Sequence, residues 1–224
     1  MTISEFSNQF DILYNNITSN QAPGLSEYEK SVFLTRAQDY LVTSIYDGNI
    51  DGNSFEGTEE MARYIEQLTT QIIINTFTQG SGITSYSVFA SLPSNLWFIV
   101  YESALIQSTN PGCLTNGKEV LVTPVTHDQF NKIEKNPFRG ASINRVLRIS
   151  SQNKSELISK YPITQYKIRY IRNSNPIILE DLSQYGLTIK GQSQAMTSEL
   201  NNVLHNVILD KAVALAQYAS AQSK

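Results

Sequence analysis

The chain has 224 residues, of which 41% are hydrophobic and 17% are charged, and its formal net charge is −3. This length fits one large domain or two small ones, and the low net charge excludes disorder driven by charge repulsion. An isoelectric point near 5.4 argues against non-specific electrostatic binding of nucleic acid. The first residues lack the features of a signal peptide and no apolar run could span a bilayer, so we expect an aqueous, cytoplasmic setting.

Two amphipathic helices are predicted at the start of the chain. Residues 3–18 carry apolar side chains at helical spacing, and Ser4 is the expected N-cap. Ser26 and Glu29 have the spacing of a capping box, which predicts a second helix that runs to about Tyr46. The face of this helix that we expect to be buried consists of Phe33, Ala37, Tyr40, Leu41 and Ile45.

The loop that follows the second helix offers the nearest approach to a metal motif. Asp47, Asn49 and Asp51 match the first half of a helix-flanked calcium loop, but Thr58 stands where a bidentate glutamate is required. The same residues are also typical of an ordinary turn rich in Asp, Asn and Gly. We favour the turn and keep the three residues as candidate calcium ligands.

Strands are predicted in the middle of the chain. A third helix is expected over residues 58–74, and the pattern changes from Gly82 onward. Leu96–Ile106 is aromatic and β-branched, and with residues 118–125 it predicts an antiparallel hairpin. A short helix over residues 127–135 ends at a proline. Further strands are expected at residues 86–92, 146–149, 166–171, 177–179 and 187–189.

A closing helix is predicted over residues 198–221. Its apolar stripe consists of Leu200, Val203, Leu204, Val207, Ile208, Ala212, Leu215, Ala216 and Ala219. Helices followed by strands and a last helix indicate the α+β class. We expect the N-terminal helices and the long C-terminal helix to pack together as a bundle, residues 1–80 and 193–224. An antiparallel, β-rich region of hairpins, residues 81–192, would be inserted between them within one compact unit.

Catalytic chemistry is not indicated by the residue pattern. The sequence has no glycine-rich phosphate loop, and two histidines with the single Cys113 cannot supply a usual zinc ligand set. His205 is expected to be half-buried and hydrogen-bonded. We therefore predict no enzymatic activity and no cofactor. Basic residues gather between Arg139 and Arg172, which indicates either solvated strand faces or a positive surface that faces DNA or an acidic partner.

Four stretches of the chain resemble a known family. They are residues 24–38, 127–138, 166–179 and 205–216, which read GLSEYEKSVFLTRAQ, HDQFNKIEKNPF, YKIRYIRNSNPIIL and HNVILDKAVALA. Together they resemble the virion neck or ring structural proteins of crAss-like tailed bacteriophages. The last stretch also resembles the final helix of head–tail connector proteins more widely.

The resemblance implies a structural subunit of the head–tail connector of the virion. It implies a ring of twelve copies that joins the portal protein to the tail and contacts other neck or tail proteins. DNA would pass through its channel without specific binding, and assembly would take place in the host cytoplasm without a membrane. Phe138 and Arg139 are candidates for contact with a partner, and the alternative for them is a local core plug and a surface charge.

Two functions of other classes remain as alternatives. One is a calcium-stabilised protein-binding module built on the loop at Asp47. The other is an enzyme carried in the virion, such as a cell-wall hydrolase.

Overall fold

The structure is a computed structural model that describes residues 1–17, 24–48, 63–107, 117–151 and 153–222. The chain divides into two compact units, which we call the helical unit, Met1–Leu68 with Ser174–Lys224, and the strand unit, Thr69–Asn173. The boundaries predicted from the sequence lie at residues 80/81 and 192/193. The helices are α1 (Ile3–Ile17), α2 (Glu27–Asp47), α3 (His127–Glu134) and α4 (Leu204–Gln222). The strands are β1 (Thr69–Ile74), β2 (Thr78–Gln79), β3 (Ser87–Ser91), β4 (Leu96–Ile106), β5 (Lys118–Pro124), β6 (Arg145–Ser151), β7 (Lys154–Ile158) and β8 (Ile163–Arg172).

Helices α1 and α2 begin at reciprocal caps. The predicted capping box of α2 is present, because the Ser26 hydroxyl accepts from the Glu29 amide and the Glu29 carboxylate accepts from the Ser26 amide. The N-cap of α1 differs from the prediction, since Thr2 and not Ser4 exchanges these bonds with Glu5. The Thr2 bonds hold the pKa of the Glu5 carboxyl below its ordinary value.

Replacing Ser26 with alanine is expected to lower the free energy of unfolding by about 1 kcal/mol, because the Glu29 amide at the N-terminus of α2 loses its hydroxyl acceptor. Ser4, an exposed residue inside α1, provides the matched serine-to-alanine control and should change stability by less than about 0.5 kcal/mol. Denaturant titration of both variants measures the difference. Equal losses would contradict the capping role.

An extended segment of the helical unit, residues 174–179, is paired with the side chains of α2. The Thr35 hydroxyl donates to the Ile177 carbonyl at 3.2 Å and accepts from the Ile177 amide at 3.1 Å. Ser31 accepts from the Leu179 amide at 3.0 Å, and the Gln38 side chain donates to the Asn175 carbonyl at 2.7 Å. Polar side chains of a helix thus take the place of a neighbouring strand, which satisfies backbone groups that are buried.

A buried lysine ties α1 to α2. The Lys30 ammonium lies 2.6 Å from the Asp11 carboxylate and 2.8 Å from the Glu27 carboxylate. Burial lowers the pKa of this ammonium, but its hydrogen bonds to the two carboxylates outweigh burial and leave the pKa raised. The lysine therefore remains charged in the folded protein.

The strand unit is a single sheet in the order β1-β8-β4-β5-β6-β7-β3-β2. All pairs are antiparallel except β5 with β6, which is parallel. One face is the core, and it contains residues of six strands: Ala90, Ala104, Ile106, Val120, Val122, Val146, Leu157, Tyr166, Ile168 and Tyr170. Helix α3 packs Phe130 into a second cluster with Val125, Ala141, Leu147, Ile149 and Ile158.

A buried ion pair lies within the sheet. The Arg148 Nε atom lies 2.8 and 2.9 Å from the two carboxylate oxygens of Glu102, and the Tyr166 hydroxyl donates to the same carboxylate. Burial raises the pKa of the Glu102 carboxyl despite the opposing effect of Arg148. Burial, and then the Glu102 charge, also raise the pKa of the Tyr166 hydroxyl.

The predicted fold class is wrong. The prediction places antiparallel hairpins between packed helices, whereas the structure has a large mixed sheet of eight strands that includes a parallel pair. Three of the seven strand pairs among the described residues, β1 with β8, β3 with β7 and β4 with β8, also join distant parts of the chain, such as Thr69 with Ile171. Sequence reasoning follows neighbouring segments, and it therefore favours hairpins over pairings that are brought together only by folding.

Individual elements explain the error. Residues 69–74 were predicted as helix but form β1, because Thr69, Thr70 and three consecutive isoleucines suit a strand next to β8. Residues 58–62 of that predicted helix lie outside the described residues. The strands predicted at 177–179 and 187–189 do not join the sheet; they make isolated bridges to Met196 and Gln192. Strands β2 and β7 were not predicted.

The predicted buried faces of two helices also need correction. In α2 the polar residues Ser31, Thr35 and Gln38 are buried, whereas Tyr40 is exposed. Helix α4 begins at Leu204 and not at residue 198, and Val203 and Val207 of its predicted stripe are exposed.

Candidate interaction surface

A hydrogen-bonded turn after α3 presents an aromatic side chain to solvent. We call this turn, residues 135–140, the Phe138 loop. Phe138 in this loop is 88% exposed. Its amide donates to the Asn136 side chain at 2.9 Å, and the Gly140 amide donates to the Asn136 carbonyl at 2.8 Å. The Arg145 guanidinium donates to the Phe138 carbonyl at 2.9 Å. The backbone of the loop is therefore held in shape by hydrogen bonds from within the loop and from Arg145, while the ring of Phe138 takes part in none of them.

Gly140 is required by this geometry. A Cβ atom there would lie 2.8 Å from the Glu134 carbonyl and 3.0 Å from the Asn136 carbonyl, which leaves no room for a side chain. The close approach brings the end of α3 against the start of the loop. The predicted contact residues Phe138 and Arg139 are both exposed, so the core-plug alternative for Phe138 does not hold.

Basic side chains surround Phe138 along the chain. The exposed basic residues are Lys132 on α3, Lys135 at the end of this helix, and Arg139. Arg145 lies beside the loop through its bond to the Phe138 carbonyl. The Phe138 loop is thus an apolar tip with a positively charged border, which is the pattern of a protein-binding surface with a polar rim.

The second face of the sheet in the strand unit is open along several strands. It exposes Ile73 on β1, Tyr101 on β4 and Leu121 on β5. The pairings place Ile73 opposite Lys167, and Ser103 opposite both Lys167 and Leu121, so these side chains form a row across the sheet. Lys167 on this row lies 3.1 Å from Glu119. This face mixes apolar and charged groups.

Helix α4 of the helical unit has an apolar stripe on its outer side. The α4 outer stripe consists of Val203, just before the helix, and Val207, Asp210, Ala214 and Tyr218, all of which are exposed. Their spacing of three or four residues places them along one side of the helix. Val203 is 63% and Tyr218 67% exposed. Asp210 is the one charged residue in this stripe.

The opposite side of α4 is buried. His205 there is buried, with Nε2 3.1 Å from the Leu200 carbonyl and Nδ1 2.7 Å from the Met1 amino group. Burial, and then the nearby amino group, lower the pKa of this imidazole. The prediction of a hydrogen-bonded histidine is confirmed, and the side chain is more deeply buried than expected.

The two units carry opposite charge. The strand unit holds 11 Lys and Arg against 5 Asp and Glu, a formal net charge of +6. The helical unit holds 6 against 15, a formal net charge of −9, and the two values together give the −3 of the whole chain. The basic residues gathered from 139 to 172 all belong to the strand unit. Counting charges on each side of the unit boundaries would have revealed the full separation.

The candidate calcium loop gains no support from the described residues. Asp47 is exposed at the end of α2, where Gly48 caps the helix in the left-handed conformation at φ 73°. Asn49 and Asp51 lie outside the described residues, as does Cys113. Over the residues that are described, no group of His, Cys, Asp and Glu is arranged to hold a metal ion. No helix in the described ranges has both the length and the apolar character to cross a membrane.

Comparison with known proteins assigns the chain to a class. The family model described as phage tail ring protein 3/4 matches residues 1–224. A relative named Ring protein 3, from Bacteroides phage crAss001, is 43% identical over 226 residues, which cover 99% of this chain and 97% of the relative. Ring protein 4/5 of the same phage is 36% identical over 231 residues, which cover 98% of this chain and 93% of that protein.

The chain therefore belongs to the phage tail ring protein 3/4 family. It is a structural ring protein of a phage virion, and the resemblance to ring proteins of crAss-like phages is confirmed. The relatives are named for a structural role and not for a reaction.

Proposed function

We propose that copies of this chain form a closed ring of twelve in the neck of the virion, between the portal protein and the tail. The ring joins these parts mechanically, contacts other neck or tail proteins and has no catalytic activity. The observation that carries this proposal is the family match over the full 224 residues. Assembly takes place in the host cytoplasm.

The exposed apolar surfaces support an assembling protein. Both units expose large apolar side chains in defined positions, Phe138 in the strand unit and Val203 and Tyr218 in the helical unit. Large exposed apolar patches are rare on monomeric proteins, and those with polar borders often mark interaction surfaces. A subunit with different surfaces on different units suits head-to-tail contacts, which generate rings when the rotation closes.

The net negative charge supports passage of DNA through the ring. A wall that attracted phosphates strongly would slow the moving DNA, and a chain of net charge −3 avoids a strong overall attraction. An inner surface of the assembled ring that is dense in Arg and Lys would contradict this part of the proposal.

The mass of the particle in solution tests the proposal. Roughly twelve copies of the 25.1-kDa chain would have a mass of about 300 kDa. We expect light scattering after size-exclusion chromatography to show this mass either for the chain alone or for the chain bound to portal protein. A chain that stays monomeric with and without portal protein would contradict the proposed function.

A further inference from the structure

We propose that neighbouring copies in the ring bind through the Phe138 loop of one copy and the α4 outer stripe of the next. The occupant of the α4 outer stripe is thus a second copy of this chain. This inference rests on the proposed ring, and it adds the surfaces, the direction and the chemistry of the contact between copies.

The Phe138 loop has the properties of a preformed contact. Its backbone is held by Asn136 and Arg145, so little conformational entropy is lost when it binds. Its aromatic ring is almost fully exposed in the single chain. Buried aromatic side chains at the centre of an interface contribute much of the binding energy.

The α4 outer stripe offers what this loop requires. Val203, Val207 and Ala214 provide an apolar surface for the ring of Phe138, and Tyr218 adds an aromatic group. Asp210 lies within the stripe and can form an ion pair with Arg139. The side chains of the stripe are spread along one side of a 19-residue helix, and this side is not used in the core of the helical unit.

Charge complementarity selects a second copy and the direction of contact. The Phe138 loop belongs to a unit of formal charge +6, and the α4 outer stripe belongs to a unit of formal charge −9. A symmetric contact of loop against loop or stripe against stripe would bring like charges together. A contact of loop against stripe brings opposite charges together and repeats from copy to copy, as a ring requires.

A competing use of the strand unit is contact with DNA. Its excess of basic residues would attract phosphates, but the apolar tip of the Phe138 loop would then face a charged backbone. The contact between copies uses both the tip and its basic border. The experiment below separates the two uses.

Two loss-of-contact variants and their mixture test the inference. The loop variant is F138S/R139E, and the stripe variant is V207N/D210N, so that the two altered halves carry no complementary charges. Each variant retains one half of the contact, so neither should form rings, whereas an equimolar mixture should give a dimer of one copy of each. Native mass spectrometry and light scattering, with portal protein added if the wild-type chain needs it to assemble, measure these species.

Matched variants control for charge and folding. K154E makes the same charge reversal as R139E at an exposed residue of β7, and E66Q removes a carboxylate, as D210N does, at an exposed residue of the helical unit. Both should assemble like the wild-type chain. The loop and stripe residues are exposed, so all variants should keep the thermal midpoint of the wild-type chain within a few degrees.

A charge exchange tests the pairing of Arg139 with Asp210. R139D and D210R alone should each weaken association at least about tenfold, and the double variant R139D/D210R should recover most of it. Association of the wild-type chain should also weaken as salt rises.

The outcomes separate the two proposals. If the loop variant and the stripe variant each still form rings, the docking mode is wrong and the ring proposal remains intact. Two variants that fail to assemble and also fail to form the mixed dimer would overturn the docking mode as well. Loop variants that assemble normally but lose affinity for a short DNA duplex would assign the loop to DNA instead. A chain that is monomeric under every condition, portal protein included, would contradict both proposals.

Discussion

Replacing Glu102 with leucine is expected to lower the free energy of unfolding by about 3–5 kcal/mol. The substitution leaves the Arg148 guanidinium buried without its carboxylate, and arginine cannot release its proton to avoid the cost. It also removes the acceptor of the Tyr166 hydroxyl. Denaturant unfolding of the variant, followed by circular dichroism, measures the loss.

Replacing Arg148 with methionine should cost less, and the cost should depend on pH. The pKa of Glu102 is already raised in the folded protein, and removal of Arg148 raises it further. A carboxyl group with a raised folded pKa contributes stability at pH values below its unfolded pKa of about 4.5, and that contribution is lost as pH rises through the folded pKa. The variant should therefore be closer to the wild-type chain at pH 5 than at pH 8.

The double variant E102L/R148M decides whether the charges are coupled. It should be more stable than E102L alone, because it leaves no unpaired buried charge. Its remaining deficit comes from the Tyr166 hydroxyl, and adding Y166F should reduce it. Glu119 provides the control, since it is exposed and pairs with Lys167, and E119L should cost less than about 1 kcal/mol. A double variant as unstable as the sum of the single ones would contradict the coupling.

Replacing Thr35 with valine is expected to lower the free energy of unfolding by about 2–4 kcal/mol. Valine has nearly the same shape, but it removes the partner of both the amide and the carbonyl of Ile177. Ile177 is buried, and each unsatisfied buried group costs about 1–3 kcal/mol. Denaturant titration measures the change, and hydrogen exchange should show faster exchange of the Ile177 amide.

Thr43 supplies the matched control on the same helix. Its hydroxyl donates to the Asp39 carbonyl of α2 itself, so T43V leaves no distant backbone group without a partner. We expect a change of less than about 0.5 kcal/mol. Thr35→Ser keeps the hydroxyl and should retain much of the stability that T35V loses. Similar losses in T35V and T43V would show that the effect arises from helix propensity and not from the pairing with residues 174–179.

Local signals predicted α1 to α4 and several strands, although residues 69–74 of a fifth predicted helix form β1. The capping box at Ser26, the apolar spacing of α1 and the proline after α3 act within a few residues, and the structure has the corresponding elements. The strands β4 and β8 are long and β-branched, and β5 follows β4 as its antiparallel partner. Each of these features depends on residues that are close together in the sequence.

The candidate contact residues were predicted only in part. Phe138 and Arg139 follow a helix break, which is a local signal, and their exposure agrees with a surface role. Val203 and Val207 were expected to be buried, because periodicity identifies apolar positions but not which of two adjacent stripes faces the core. The opposite charges of the two units become apparent only when charges are counted unit by unit, and the helical unit joins two segments that are far apart in the sequence.

By itself, the sequence determined the capping box of α2, the long strands and, through whole-chain similarity, the ring protein family. The tertiary structure alone decided that residues 69–74 are a strand, because their partner β8 lies about a hundred residues further on and no local pattern specifies such a pairing. It also decided that Ser31, Thr35 and Gln38 are buried. From the sequence, polar side chains on a helix are expected to be exposed to solvent. Their burial is favourable here because the backbone of residues 174–179 supplies their hydrogen-bond partners.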